Sequence, residues 1–323
     1  MKNIHVKPDA FLRHFFPLVR KTRQWSWKYF DRMGVRLVIS GGPVPFMDAV
    51  LQFPEEVGLI YSTALFWNGP EAYEAPTSRL LALLISRSRA FLDIGSNVGI
   101  YSVYAGVRHP EVTTFAFEPV PAIHRKNSLF HRANHLAEER VLQLALGDRQ
   151  GVQEFLLPVS TAGIEEEQTG TLNTNSWQAS EETLERIPVQ CSTLDRFTSN
   201  QKLPDGRCCI KIDVENHEAA VLRGGKQFIQ SRRPWIVCEV LPSQKIDRAT
   251  GIRTNDNAEV VSLVDELGYV PLAVTSEGYF RMTKEDFDRP RGIKDFLLAP
   301  AEAIAPNVSY LAPDTLRDLL PIS

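Results

Sequence analysis

From about residue 88 onward, short apolar runs alternate with longer amphipathic segments. The short runs have the length of buried strands, and a spacing of three to four between apolar positions in the longer segments is typical of helices. This alternation predicts βαβ units and a mainly parallel α/β sheet. The predicted strands span residues 90–94, 112–117, 141–146, 189–194, 208–214, 235–240, 270–274 and 295–299, and the predicted helices span residues 98–107, 122–135, 218–229 and 258–267.

The first 36 residues have a different character, with nine Lys or Arg against two Asp or Glu. Apolar pairs recur there at helical spacing, and a basic amphipathic helix either packs on its own domain or lies on an anionic membrane surface. We expect packing on the domain, with membrane contact through residues 1–36 as the alternative. The predicted division is a helical and irregular N-terminal extension over residues 1–75, one domain over 76–305 and a C-terminal tail over 306–323.

Composition narrows the class of protein. The 323 residues are 43% hydrophobic and 23% charged, an ordinary globular mixture, and the net charge of −3 does not favour nucleic acid as a partner. No apolar run approaches the roughly 18–20 residues that span a bilayer, and no signal-peptide core is visible at the N-terminus. The four cysteines lack CxxC spacing, so neither a disulfide framework nor a zinc site is indicated. We expect a cytoplasmic protein without a metal.

A glycine-containing turn, FLDIGSNVG at residues 91–99, follows the strand predicted over residues 90–94 and opens a helix. Glycines remove side chains where a ligand approaches the backbone, and N–H groups at a helix start face that ligand. The turn is not the dinucleotide GxGxxG, because an asparagine occupies the middle glycine position and the strand ends in an aspartate that would repel a pyrophosphate. The candidate ligand-binding residues of this turn are Asp93, Gly95, Ser96, Asn97 and Gly99.

Two further acids follow the next two predicted strands. Glu118 stands 25 residues after Asp93, at a place where a carboxylate accepts hydrogen bonds from both ribose hydroxyls. Asp148 ends the third strand, where a side chain can meet an adenine amino group, although a Gly-Asp pair also forms ordinary turns. Together with the glycine turn, these acids favour a nucleoside-containing ligand.

The segment KIDVENHE at residues 211–218 brings ionisable groups together after a strongly apolar strand. Strand alternation points Lys211, Asp213 and Glu215 to one side, and such crowding at a strand end is expected of an active site. The carboxylates and His217 would also suit a hard cation, but no second ligand cluster accompanies them. Glu239 ends the next strand, either as a site residue or as a lone acid paired with a structural Lys or Arg.

In their order along the chain, these segments resemble the FkbM-type S-adenosylmethionine-dependent methyltransferases. The resembling segments are residues 93–99, 117–119, 145–148, 192–195, 211–215 with 221–224, 237–239, 267–269 and 296–298. The resemblance covers about residues 70–300. It implies a class I methyltransferase (Rossmann-like) fold with seven strands, the last of them antiparallel, and helices on both faces. It also implies methylation of a hydroxyl on a sugar, glycolipid or natural product.

The resemblance assigns roles to the candidate residues. S-adenosyl-L-methionine would be bound by Asp93, Gly95, Ser96, Asn97, Gly99, Glu118, Asp148 and Asp213. A hydroxyl acceptor needs a base within hydrogen-bond reach, and His217 is the first candidate for it, with Asp213 and Glu239 as alternative bases or acceptor-orienting groups. The carboxylates near His217 are expected to raise the pKa of its imidazole.

One residue departs from the family pattern, which usually reads Asp-Val-Glu-Gly: Asn216 stands in place of the glycine. Asparagine tolerates the left-handed conformation better than other non-glycine residues, so we expect the turn to persist. The departure leaves open a methyltransferase-like domain that binds cofactor or partner without catalysis. A nucleotide-dependent oxidoreductase is disfavoured because GxGxxG is missing. The polar stretch 161–186 is predicted to be a loop, placed where a lid over the acceptor pocket would lie.

Overall fold

The fold is taken from a computed structural model, which describes residues 2–6, 35–158, 184–240, 245–246, 253–254, 257–283 and 293–320. Most of the basic N-terminal segment and nearly all of the stretch 161–186 lie outside the described residues. The predicted amphipathic helix and lid therefore stay predictions. In the described part of the chain, no helix is both long enough and apolar enough to cross a membrane.

The elements follow one another in strand and helix alternation after a short N-terminal group of strands. The described strands are β1 (Lys2–Val6), β2 (Val35–Ile39), β3 (Gly42–Phe46), β4 (Ala49–Phe53), β5 (Ala90–Ile94), β6 (Thr113–Phe117), β7 (Val141–Leu142), β8 (Ala145–Leu146), β9 (Gly151–Pro158), β10 (Leu184–Ser192), β11 (Cys208–Ile212), β12 (Trp235–Glu239), β13 (Lys245–Ile246), β14 (Arg253–Thr254), β15 (Tyr269–Val274), β16 (Tyr279–Arg281), β17 (Asp295–Pro300) and β18 (Tyr310–Leu311). The described helices are α1 (Leu59–Asn68), α2 (Ala75–Ser86), α3 (Ile100–Arg108), α4 (Pro121–Ala133), α5 (Leu194–Asn200), α6 (Glu218–Gly224), α7 (Lys226–Arg232), α8 (Asn257–Glu266) and α9 (Pro313–Leu319), with short 3-10 helices at Glu138–Arg140 and Ala301–Ala303.

The central sheet has the strand order β18-β16-β15-β17-β12-β11-β5-β6-β7. The five strands from β12 to β7 are parallel, and β17 runs antiparallel to both of its neighbours, as predicted. The described sheet has nine strands rather than the predicted seven, because β16 and β18 extend the edge beyond β15. Chain order reverses between β5 and β11, and ligands of such sheets bind at the carboxyl ends of the strands beside that switch point.

Strand side chains alternate between two hydrophobic clusters, one on each face of the sheet. Cys208 and Ile210 belong to one cluster, whereas Cys209 belongs to the other. Helices α3 and α4 contribute to the cluster around Cys209, and helices α6 to α8 to the opposite cluster. The sheet is therefore covered by helices on both faces, which explains why β5, β11 and β12 are buried at every position. All four cysteines are buried free thiols.

The described part of the predicted N-terminal extension packs into the same core. Phe46 makes edge-on ring contacts with Tyr101 and Tyr104 of α3, with centroids 5.9 and 5.5 Å apart. The predicted C-terminal tail likewise contributes β18 and α9, whose Leu316 is fully buried. Side chains from the predicted N-terminal extension and from the predicted C-terminal tail thus contribute to the hydrophobic core.

The third predicted strand, residues 141–146, is divided in the structure. Val141 and Leu142 join the central sheet, whereas Ala145 and Leu146 pair with β10 in a second, three-stranded sheet. The Leu144 N–H donates to the Leu142 carbonyl at 2.9 Å, and this tight turn breaks the strand. The helix predicted over residues 218–229 is similarly divided into α6 and α7.

Candidate active site

A cavity of about 220 Å³ lies at the carboxyl ends of β5, β6, β11 and β12. Seven of the residues predicted from sequence line it, and three do not. The lining residues are Gly95, Ser96, Asn97, Glu118, Asp213, His217 and Glu239, whereas Asp93, Gly99 and Asp148 lie outside the lining. The cavity is at the switch point of the sheet, where a ligand was expected.

The turn after β5 is held close to the end of β11. Gly95 has φ of +76°, and a Cβ at this position would lie 1.8 Å from the Asp213 carbonyl oxygen. Asn97 also has a left-handed backbone, with φ of 49°. Both observations explain the sequence at this turn, because a left-handed conformation favours glycine and tolerates asparagine.

Asn127 of α4 fixes the same turn and was not identified from the sequence. It is fully buried, and its side-chain amide donates to the Ser96 hydroxyl at 2.9 Å and to the Asn97 carbonyl at 2.7 Å. A Cβ at Gly99 would lie 2.4 Å from the Asn127 Oδ1 atom. Gly99 therefore makes room for Asn127, and its predicted contact with a ligand stays a prediction. A single asparagine within an amphipathic helix gives no sequence signal for this role.

Two carboxylates flank this turn. Asp93 Oδ2 accepts from the Ser102 N–H at 3.1 Å, while its Oδ1 is buried without a hydrogen-bond partner among the described residues. Burial raises the pKa of Asp93 to about 6, although Lys211 opposes the rise. Glu118 accepts from the Val120 N–H at 2.8 Å and the Asn97 N–H at 3.1 Å, and burial raises its pKa to about 7.

His217 and Asp148 lie on the side of the cavity formed by the end of β8. A Cβ at Gly147 would lie 2.8 Å from His217 Nε2, so the imidazole packs directly against that glycine. Burial lowers the pKa of His217 to about 4, the opposite of the expected rise, because loss of solvent outweighs the charge of Asp148. Asp148 itself accepts from Arg223 Nε and Nη2 at 3.1 and 3.0 Å. Its predicted adenine contact stays a prediction.

Near the ends of β11 and β12, carboxylates and lysines form a chain of contacts. Lys211 Nζ donates to Asp213 Oδ2 at 2.8 Å, Asp213 shares a hydrogen bond with Glu239, and Glu239 forms an ion pair with Lys294. Burial would raise the pKa of Asp213, but Lys211 and these hydrogen bonds hold it below its usual value. Burial and the Asp213 charge raise the pKa of Glu239 to about 9, so Glu239 keeps the shared proton at neutral pH.

Glu215 is the third carboxylate of this cluster. Its carboxylate and those of Asp213 and Glu239 offer oxygen atoms within 4.8 Å of one another, a spacing that could hold a cation. Lys211 already pairs with Asp213, and Lys294 contacts Glu239. The expectation that no metal binds stays a prediction.

Several cavity residues from outside the recognised segments were missed. The cavity is also lined by Tyr61, Tyr73, Glu74, Tyr101 and Lys294. The Tyr101 hydroxyl donates to Glu74 Oε2 at 3.0 Å, and Lys294 Nζ lies 3.5 Å from Glu74 Oε1. Glu74 has a left-handed backbone, with φ of 43°. Tyr101 lies in α3, directly after the glycine turn. The other four residues come from the region before β5 and from the loop before β17, where no motif marks them.

The predicted turn at Asn216 is confirmed. Asn216 has φ of 69°, and its N–H donates to Glu218 Oε1 at 3.0 Å. Burial raises the pKa of Glu218 to about 8. The asparagine thus takes the left-handed conformation that glycine would take, and the carboxylate of α6 holds the turn.

Residues 93–271 match the family model described as the methyltransferase FkbM domain, which covers more than half of the chain. The chain belongs to the FkbM methyltransferase family. It is therefore a methyltransferase, and its sheet has the α/β architecture predicted from the sequence. The matched range includes the glycine turn, Glu118, the segment after β11 and Glu239, whereas Glu74 and Lys294 lie outside it.

Several known proteins are similar to this FkbM-family protein. It is 31% identical over 204 residues to the 31-O-demethyl-FK506 methyltransferase FkbM of Streptomyces tacrolimicus, an alignment that covers 56% of this chain and 72% of that protein. Its structure is similar to methyltransferase FkbM from Methylobacillus flagellatus KT, with 13% identity, a TM-score of 0.38, and coverage of 76% of this chain and 56% of that chain. It is also similar to a precorrin-6y C5,15-methyltransferase from Geobacter metallireducens GS-15, with 13% identity and a TM-score of 0.33. That similarity covers 70% of this chain and 87% of that chain. TM-scores this low indicate neither the substrate nor the mechanism of this protein.

Proposed function

We propose that this FkbM-family protein transfers a methyl group from S-adenosyl-L-methionine to a hydroxyl oxygen of a small-molecule or glycan acceptor. The observation that carries the proposal is the make-up of one cavity. The Gly95–Asn97 turn and Glu118 line one part of it, and Asp213, Glu215 and Glu239 line another. A nucleoside-binding region thus adjoins a group of ionisable side chains able to bind and deprotonate an acceptor.

The residues of the turn fit the cofactor. Glu118 is 6% exposed yet lines the cavity, so its carboxylate is a nearly desolvated acceptor for ribose hydroxyls. The close approach of Gly95 to the Asp213 carbonyl holds the turn beside the end of β11. Asp213, Ser96 and Asn97 would complete the cofactor contacts. Bound cofactor supplies an electrophilic methyl group on a sulfonium, and the protein's task is alignment.

An oxygen acceptor agrees with the charges of the cavity. The name of the Streptomyces relative refers to an O-demethylated substrate, which supports transfer to oxygen in the family. In this chain, Glu74 and Lys294 offer hydrogen-bond acceptors and donors, and Tyr61 and Tyr73 offer aromatic surface. This combination suits a polyhydroxylated acceptor such as a sugar, because hydroxyls need paired donors and acceptors while ring C–H groups pack on aromatics.

Calorimetry with S-adenosylhomocysteine tests the cofactor assignment. We expect the wild-type protein to bind S-adenosylhomocysteine and not NADH. Glu118→Ala should weaken this binding by about 1–3 kcal/mol, because it leaves buried polar groups unpaired. Glu277→Ala is the matched control, since Glu277 is an exposed acid of the hairpin between β15 and β16. Tight NADH binding without S-adenosylhomocysteine binding would favour the oxidoreductase alternative and end the proposal.

Catalysis is tested separately from binding. The protein is incubated with S-adenosylmethionine and a panel of methyl glycosides and aliphatic diols, and S-adenosylhomocysteine formation is measured by chromatography. Acceptor-dependent formation is the expected result. Cofactor binding without turnover on any hydroxyl acceptor, including a cell extract, would favour the alternative of a domain that binds without catalysis.

A further inference from the structure

Glu215 differs from the other carboxylates of the cavity in having no partner. It lines the cavity, yet it makes no hydrogen bond and no ion pair with any of the described residues. Asp213 is held by Lys211 at 2.8 Å, and Glu239 is held by Lys294. The carboxylate of Glu215 is therefore the member of the group with lone pairs free for an incoming hydroxyl.

The other candidate bases are already engaged or badly placed. Glu239 keeps the proton that it shares with Asp213, and Asp213 is stabilised as an anion by Lys211. His217 packs against Gly147, and the charged groups that act on it are Asp148, Arg223 and Arg149 rather than the carboxylate cluster. An imidazole there lies beside the place predicted for the cofactor's adenine rather than beside an acceptor.

The backbone fixes the position of Glu215. Glu215 and Asn216 are consecutive left-handed residues, with φ of 50° and 69°. For a glutamate this conformation costs roughly 1–2 kcal/mol, and such strain persists only where the surroundings determine it. Here the Asn216 N–H is held by Glu218 at 3.0 Å, and the Asp213 N–H donates to the Ile94 carbonyl at 3.0 Å. Glu215, the strained residue between these two anchors, lines the cavity.

We propose that Glu215 is the general base that takes the proton of the acceptor hydroxyl. This assignment rests on the proposed O-methyltransferase function. As the acceptor oxygen bonds to the methyl carbon, the carbon–sulfur bond breaks and its electron pair stays on sulfur. The hydroxyl proton passes to the Glu215 carboxylate and is later released to solvent, so charge and atoms balance without a further reactant.

The charges around Glu215 suit this task. Burial and the negative charge of Asp213 raise the pKa of Glu215 to about 7, while Lys294 and Lys211 oppose the rise. Glu218 and Glu239 also face this region, and both hold protons near neutrality because burial raises their pKa values. A base is most effective when its pKa lies near the working pH, since it is then deprotonated in part and still basic.

A titration tests the assignment without knowledge of the acceptor. The protein is labelled with [5-¹³C]glutamate, saturated with S-adenosylhomocysteine, and followed by carboxyl NMR from about pH 5 to 9. We expect one resonance that titrates near pH 7, that is absent in Glu215→Gln and that is present in the control Glu277→Gln. If the resonance missing in Glu215→Gln titrates below pH 5, or not at all over this range, Glu215 is not the base.

A kinetic comparison gives a second, independent readout. Methyl α-D-glucopyranoside needs deprotonation, whereas 4-nitrophenol is largely ionised at about pH 8. Glu215→Gln should lower turnover of the glycoside about 10²–10⁴-fold, and of the phenol far less. Equal losses with both acceptors, or a larger glycoside-specific loss in His217→Gln, would overturn the assignment. Failure of the proposed function itself is distinct, because it appears as loss of S-adenosylhomocysteine binding or turnover in the wild-type protein.

Discussion

Gly95 packs against the backbone carbonyl of Asp213 so closely that a Cβ would lie 1.8 Å from the oxygen. The Asp213 N–H in turn donates to the Ile94 carbonyl at 3.0 Å. These contacts join the ends of β5 and β11 where chain order reverses. The turn proposed to bind the cofactor and the strand end that carries the carboxylates are therefore one packed unit, so a shift of either would move the other.

Gly95→Ala should destabilise the protein more than an ordinary strained glycine would. The left-handed backbone alone costs an alanine about 1–3 kcal/mol. The contact with the Asp213 carbonyl adds a backbone clash, so we expect a loss above about 3 kcal/mol or failure to fold. Gly69→Ala is the control, because Gly69 also has positive φ, +105°, but nothing lies within 4 Å of its Cβ. Equal urea denaturation midpoints for the two variants would contradict this account.

Asn127 should act on cofactor affinity although it does not line the cavity. Asn127→Ala removes the amide that holds Ser96 and Asn97 and leaves a buried carbonyl unpaired, at about 1–3 kcal/mol of stability. We also expect S-adenosylhomocysteine binding to weaken about tenfold, or 1.4 kcal/mol, by calorimetry.

Asn134, just after the same helix, is the matched control. Its side chain donates to the Gln52 carbonyl at 3.0 Å and to the Phe130 carbonyl at 2.8 Å, away from the cavity. Asn134→Ala should lower stability and leave the affinity for S-adenosylhomocysteine unchanged. Unaltered affinity in Asn127→Ala would show that the turn is positioned without that side chain.

The parts of the fold that follow from periodic apolar patterns were predictable. Residues 90–94, 208–212 and 235–240 are buried on both faces, and such strands leave a largely apolar signal. The division of residues 141–146 was not predictable, because both halves are apolar. Only the Leu144–Leu142 hydrogen bond and the pairing of Ala145 with Cys191 separate them.

The site was predictable where a residue stands in a motif at a strand end, as Glu118 and Asp213 do. Glu74 and Lys294 could not be found this way, because they reach the cavity from the region before β5 and the loop before β17. The predicted rise in the pKa of His217 was wrong for a related reason. Neighbouring acids are visible in the sequence, but burial against Gly147 is a tertiary contact, and burial dominates.

Stability should fall as pH rises from about 6.5 to 9. Burial raises the pKa of Glu118 to about 7 and of Glu218 to about 8, against an ordinary value of 4.5. Such carboxyls bind their protons more tightly in the folded state, so their contribution is fully present below about pH 4.5 and is lost as pH rises through the folded pKa values. Unfolded histidines, whose ordinary pKa is 6.5, are half protonated at pH 6.5, and their remaining titration opposes the fall by only about 0.4 kcal/mol for each buried neutral histidine.

Differential scanning fluorimetry in constant ionic strength measures this dependence. Two pKa units correspond to about 2.6 kcal/mol, so a fall of several degrees in Tm is expected between pH 6.5 and 9. Glu218→Gln should flatten the curve, whereas Glu277→Gln, at an exposed acid, should leave its slope unchanged. A Tm that is constant or rises across this range would contradict the burial of these carboxyls as protonated groups.

Asn216 should be replaceable by glycine and not by a β-branched residue. Its φ of 69° lies in the left-handed region, and its N–H, which glycine retains, is the group that Glu218 holds at 3.0 Å. Asn216→Gly restores the family pattern and should leave the free energy of unfolding within about 0.5 kcal/mol. Asn216→Val places a branched side chain in this conformation and should cost roughly 1–2 kcal/mol.

The two variants should also differ in their effect on Glu215, the preceding residue. Asn216→Val should move the Glu215 carboxylate and shift its NMR titration, whereas Asn216→Gly should preserve that titration. If both variants unfold at the wild-type urea concentration, the left-handed turn does not constrain this position. If Asn216→Gly instead abolishes S-adenosylhomocysteine binding, the asparagine side chain has a direct function that its backbone conformation does not explain.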